Sequence, residues 1–67
     1  RAEDLVIYKV IAWRERDRED AEQLLSLWGE RIDLTRVRDW VRQFAEVLEV
    51  PDRIQEFEAL VRRAKGI

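Results

Sequence analysis

Residues 34–50, LTRVRDWVRQFAEVLEV, read as a helix. Leu34, Val37, Val41, Phe44, Ala45 and Leu48 recur at intervals of three and four, the spacing of one face of an α-helix. Trp40 and Val47 sit to one side of that stripe. Asp33 precedes it and is a natural N-cap, because its carboxylate can accept a backbone N–H of the first turn. Pro51 follows it and suits the first turn of a further helix, where a missing N–H costs nothing. That last helix carries Ile54, Phe57, Leu60, Val61 and Ala64, with Arg62, Arg63 and Lys65 in its final turn and Gly66 as its stop.

The same spacing runs on the N-terminal side. Residues 18–28 predict a helix with Ala21, Leu24, Leu25 and Trp28 inward, Arg18 and Glu22 paired one turn apart, and Gly29 as a left-handed stop. Residues 2–13 predict another, opened by Glu3 and Asp4 at the positive end of the helix dipole. Its Leu5, Tyr8, Ile11 and Ala12 form one stripe and Val6, Val10 and Trp13 a second. Together they cover most of the circumference, more than three short companions can shelter, so this helix is expected to lie against a further surface. Val6, Val10, Trp13 and Trp40 are the expected interface residues. The fold class is all-α: a small bundle of about four helices, one domain over residues 1–67, read as a subdomain or fragment because the chain opens on Arg1 rather than Met.

Composition narrows the chemistry. The chain has 67 residues with no Cys and no His. Disulfides, Cys/His zinc sites and Cys–His or Ser–His nucleophile pairs are therefore excluded. Gly29 and Gly66 are the two glycines, so no Gly-rich phosphate loop exists. No window supplies a calcium loop, and carboxylates on a helix exterior, such as Glu15, Glu19 and Glu22, rarely converge on a cation. No metal site and no catalytic residue is expected in this chain. No apolar run reaches the length of a membrane span. The absence of Cys fits a cytoplasmic protein. Net charge is −2, and residues 31–67 carry 8 basic and 7 acidic groups, which disfavours nucleic acid as a partner.

Residues 3–25, EDLVIYKVIAWRERDREDAEQLL, hold the remaining signal. Lys9 is the only charge between Leu5 and Trp13. Arg16, Asp17 and Asp20 gather at a helix start, with the two acids one turn apart. Lys9 can snorkel, its stem on apolar neighbours and its ammonium in water. Asp17 can be the N-cap of the second helix, with Asp20 completing something like a capping box. Arg14, Arg16 and Arg18 alternate with acids as a solvated, self-paired face does.

This stretch resembles the C-terminal helical part of nucleotidyltransferase-like proteins of the abortive-infection toxin type and their relatives. Their pattern reads E-D-L-x-x-x-K-x-x-A, a short spacer, then R-D-x-x-D and an apolar run. Glu3, Asp4, Leu5, Lys9 and Ala12 match the first half; Arg16, Asp17, Asp20, Leu24 and Leu25 match the second. The match covers about a third of the chain. In that family a Gly-Ser turn and paired strand carboxylates hold magnesium and the nucleoside triphosphate. This chain has neither the pair nor a sheet, so magnesium and nucleotide are implied only for a whole protein and no transfer is expected of the chain alone. The resemblance implies an accessory helical region that packs on a missing N-terminal catalytic half. Lys9, Arg16, Asp17 and Asp20 would then face the nucleotide side. Two other readings stand beside it. One is a free-standing interaction or dimerisation module, hence a homo-oligomer. The other is a weak nucleic-acid module using Arg36, Arg38 and Arg42 with Trp40 between them.

Overall fold

A computed structural model describes residues 2–66. It has four helices: α1 (Ala2–Ala12), α2 (Glu15–Trp28), α3 (Leu34–Val47) and α4 (Asp52–Ala64). No strand occurs among the described residues. Helix α1 packs on α2 and α3, α4 packs on the same two, and α1 and α4 touch across the middle. Helices α2 and α3 therefore flank α1 on different sides.

The core is built from small and medium side chains. Val6, Val10, Ala21, Val37, Val41 and Ala45 are fully buried, with Leu25, Ile32, Leu60 and Val61 beside them and Phe57 the one buried ring. Val6 and Val10 are thus not interface residues. They are the part of α1 that its own companions do shelter, while Leu5 and Tyr8 keep 45% and 57% of their surface exposed. Trp28, Phe44 and Leu48, expected inward, are exposed instead. On α3 the inward direction is fixed by Val37, Val41 and Ala45, and Phe44 and Leu48 fall on the rim of that arc.

Three helix boundaries differ from the sequence reading, each for a local reason. Helix α1 stops at Ala12 because Trp13 adopts a left-handed backbone, φ 56°. Its N–H still reaches Lys9 O at 2.9 Å, a single closing bond. The next carbonyls, Val10 O and Ile11 O, accept Arg53 Nη1 of α4 at 2.8 and 2.7 Å. The same guanidinium lies 5.2 Å from the centre of the Trp13 ring. A cation at the negative end of α1 satisfies groups no residue of α1 can reach. Helix α2 begins earlier than expected, at Glu15, and Gly29 after it is right-handed (φ −53°) rather than left-handed. Glycine is needed there by space: a Cβ would press into Leu25 O. Glu22 pairs with Arg63 of α4 at 3.3 Å, and Arg18 turns to the Trp13 ring rather than to Glu22.

Helix α3 starts as expected, with Asp33 Oδ1 accepting the Arg36 N–H at 3.1 Å. It ends before residue 50. Glu49 is left-handed, φ 59°. Val50 N–H reaches Ala45 O at 2.9 Å and Glu49 N–H reaches Glu46 O at 3.3 Å, the paired bonds of a Schellman stop. Glycine normally occupies that position, since a side chain there costs roughly 1 kcal/mol. Gly66, by contrast, is the left-handed residue (φ 74°) after α4 that the sequence predicts.

Replacing Glu49 with Gly is expected to stabilise the chain by about 0.5–1 kcal/mol, raising Tm by roughly 4 °C in calorimetry. An unchanged or lower Tm would show that Glu49 is not strained.

Candidate functional site

The cluster with most chemistry forms where α1 turns into α2. Arg14 is extended (φ −71°, ψ 164°) and occupies the N-cap position, so Asp17 stands three residues into the helix instead of capping it. Asp17 reaches back. Its Oδ2 accepts the Arg14 backbone N–H at 3.1 Å and Arg14 Nε at 2.7 Å. This is one arm of a capping box, with the acid on the side expected of it. Lys9 comes across from α1: Nζ donates to Asp20 Oδ2 at 2.9 Å and lies 3.5 Å from Asp17 Oδ1. Lys9 therefore does not snorkel freely into water; it joins two helices.

Burial is graded through the cluster. Asp17 is 1% exposed, Lys9 19% and Asp20 38%. Two cations and two anions sum to zero. The Arg14 hydrogen bond, more than the opposing effect of burial, holds the Asp17 carboxyl below the usual carboxylate range. The hydrogen bond to Asp20 raises the Lys9 ammonium above its ordinary value, against a desolvation that lowers it. Every buried side-chain polar atom among the described residues has a partner.

Three of the four expected nucleotide-side residues, Lys9, Asp17 and Asp20, are thus brought together from positions up to 11 apart in sequence. Arg16 is not: it is exposed and has no ion-pair partner among the described residues. Arg14 takes the place that Arg16 was expected to hold. Its side chain is no capping group by type, and only the acid three residues on could have signalled it.

Lys9 and Asp20 of the cluster line a shallow groove of about 300 Å³ between α1 and α2, with Leu5, Gln23, Leu24 and Leu27. Leu27 is 70% exposed. A second groove, of about 430 Å³, lies on the other side of α1 against α3, where Tyr8, Ile11, Trp40 and Phe44 meet with Asp4 and Arg36 beside them. Of the expected interface residues Trp40 lies here, while Trp13 is half-buried between Arg18 and Arg53. The basic strip of α3 is dispersed: Arg38 pairs with Glu58 at 2.6 Å and Arg42 with Asp39 at 3.3 Å, leaving Arg36. No group of three or more acids placed to hold a metal occurs among the described residues, and no described helix is long and apolar enough to cross a membrane. No family model matches the chain, and no curated protein or solved structure is significantly similar to it.

The pH dependence of the cluster follows from Asp17 and Lys9. The folded-state value of Asp17 is depressed, so its contribution is complete above the unfolded carboxyl value, about 4, and is lost as pH falls through the lower folded value. The folded-state value of Lys9 is raised, so its contribution is complete below 10.5 and is lost as pH rises through the higher folded value. Changing Asp17 to Asn is expected to lower Tm at pH 7, with the gap to the parent chain narrowing as pH falls toward about 2. Thermal melts across pH check this; a gap that is constant with pH would show that the charge of Asp17 does not stabilise the fold.

Proposed function

We propose that this chain is a non-catalytic, accessory helical region of a nucleotidyltransferase-like protein, and that it seats a catalytic unit on its α1–α2 groove. The observation that carries the reading is the convergence of Lys9, Asp17 and Asp20. They belong to both halves of the resembling motif, are separated in sequence, and come together as one ion-paired cluster between α1 and α2, of which Lys9 and Asp20 line the groove. Around that groove Leu5 and Leu27 keep 45% and 70% of their surface exposed, as a surface made for a partner would.

The charge balance assigns roles within this reading. Lys9 is already neutralised by two carboxylates, so it is not a free phosphate ligand. Asp17 has almost no water and also serves Arg14, so it is the fixed partner. Asp20 is the outer one and the only one a phosphate oxygen could displace from Lys9. The chain's own residues would thus hold the face rigid and offer one ammonium to the nucleotide side. Magnesium and the triphosphate would be held by carboxylates of the catalytic unit.

The coding sequence adjoining Arg1 is expected to specify a Gly-Ser turn followed by paired strand carboxylates. In that whole protein, Leu5→Glu with Leu27→Glu is expected to abolish nucleotidyl transfer from a magnesium–nucleoside triphosphate. The same changes in the 67-residue chain should leave its circular dichroism intact, because both side chains face solvent. An adjoining sequence without the turn and the carboxylate pair, or full transfer by the double variant, overturns the reading.

A further inference from the structure

We propose that the exposed stripe of α3 docks on the same stripe of a second copy of this chain, with the two α3 helices antiparallel about a two-fold axis. This uses a different face from the α1–α2 groove and is independent of the reading above.

The stripe is Trp40, Phe44, Val47 and Leu48, exposed by 41, 38, 76 and 51%. Positions separated by 4, 7 and 8 are one side of a helix, the pattern by which one amphipathic helix meets another. The Trp40 and Phe44 rings already stack, centroids 5.8 Å apart and planes at 29°, so little side-chain freedom remains to be lost on docking. Tyr8 and Ile11 of α1 widen the patch into the neighbouring groove.

Charge identifies the occupant. Arg36 stands in the first turn of α3, Glu46 in its last turn and Glu49 just past its end. None of the three side chains has an ion-pair partner among the described residues. Each also sits at the wrong end of its own helix, since a helix favours anions at its N-terminus and cations at its C-terminus. No ion pair among the described residues offsets that placement. An antiparallel copy does. With the axis between positions 40 and 44, Trp40 meets the partner's Phe44. Arg36 then lies beside the acidic, carbonyl-rich end of the partner helix, and two-fold symmetry repeats the contact.

Other occupants fit less well. A nucleic acid would face Glu46 and Glu49 as well as Arg36. A membrane-surface helix carries a basic flank, whereas the end of this stripe is acidic. A foreign acidic helix would satisfy Arg36 and leave the two glutamates unanswered.

Sedimentation of the 67-residue chain from about 10 μM to 1 mM tests this. A reversible dimer is expected. Trp40→Glu should make it monomeric, and so should Val47→Glu, whose side chain is too exposed for the change to disturb folding. Arg36→Glu should raise the dissociation constant roughly tenfold, because two symmetry-related contacts become repulsive. Adding Glu46→Arg and Glu49→Arg to it should restore the parent value to within about threefold. Leu5→Glu with Leu27→Glu, on the other face, should leave the dimer unchanged. A monomer at every concentration, a dimer indifferent to Val47→Glu, or a charge-swapped chain no tighter than Arg36→Glu would each overturn the proposal.

Discussion

Asp17 holds a charge almost out of reach of water, at the point where α1, the turn after it and the start of α2 meet. A carboxylate in that position is tolerable only with its partners in place, and removing either side would leave a buried charge uncompensated. One partner is the Arg14 backbone and guanidinium, which fixes where α2 begins. The other is Lys9, which fixes how α1 is rotated about its own axis. With Lys9 held toward α2, helical geometry leaves no choice for its neighbours. Val6 and Val10 turn inward, Leu5 goes to the α2 side, and Tyr8 and Ile11 go to the α3 side. Both exposed apolar faces follow from that one azimuth.

The distribution of large side chains is the reverse of what a self-sufficient small domain needs. A chain of this length buries only about 60% of its unfolded surface and depends on its bulkiest groups. Here none of the three Trp is fully buried, one of the two Phe is exposed, and the core is mostly Val, Ala and Leu. Two of the Trp rings are instead covered by guanidinium groups, Trp28 by Arg31 at 5.6 Å and Trp13 by Arg18 and Arg53. Cation–π contact shelters those two rings on the free chain. Trp40 has no guanidinium over its ring among the described residues and stacks instead on Phe44, which is itself exposed. That contrast separates the α3 stripe from the other exposed rings.

What the sequence displayed was whatever depends on short-range periodicity. The four helices, the Asp33 cap, the Gly66 stop and the inward face of α4 all rest on spacing of three and four or on residue types with strong local preferences. What it hid depends on contacts between distant segments. Nothing near Trp13 signals a left-handed residue, because the carbonyls it exposes are satisfied by Arg53, 42 and 43 positions away from them. Glu49 is hidden for the related reason that a Schellman stop is usually read from a glycine. The candidate cluster was half legible. Lys9, Asp17 and Asp20 were visible as an odd charge and an acid pair. Asp17 as an acceptor for Arg14 was not, because Arg14, Arg16 and Arg18 look alike in an alternating run and only the turn decides which is used.

The two proposed surfaces do not compete. Helices α2 and α3 do not pack on one another; they lie on different sides of α1. A pair joined through α3 therefore leaves each α1–α2 groove open, with Lys9 and Asp20 directed away from the two-fold axis. The rigid link between the faces is α1 itself. Its Leu5 and Lys9 line one groove and its Ile7, Tyr8 and Ile11 the other. A helix that presents two apolar sides and buries a third is apolar nearly all round, which is the feature the composition of residues 2–13 displays. The unusual greasiness of α1 thus has a physical account: its third side is already filled by Val6 and Val10, and the remaining two are the surfaces on which a catalytic unit and a second copy would rest.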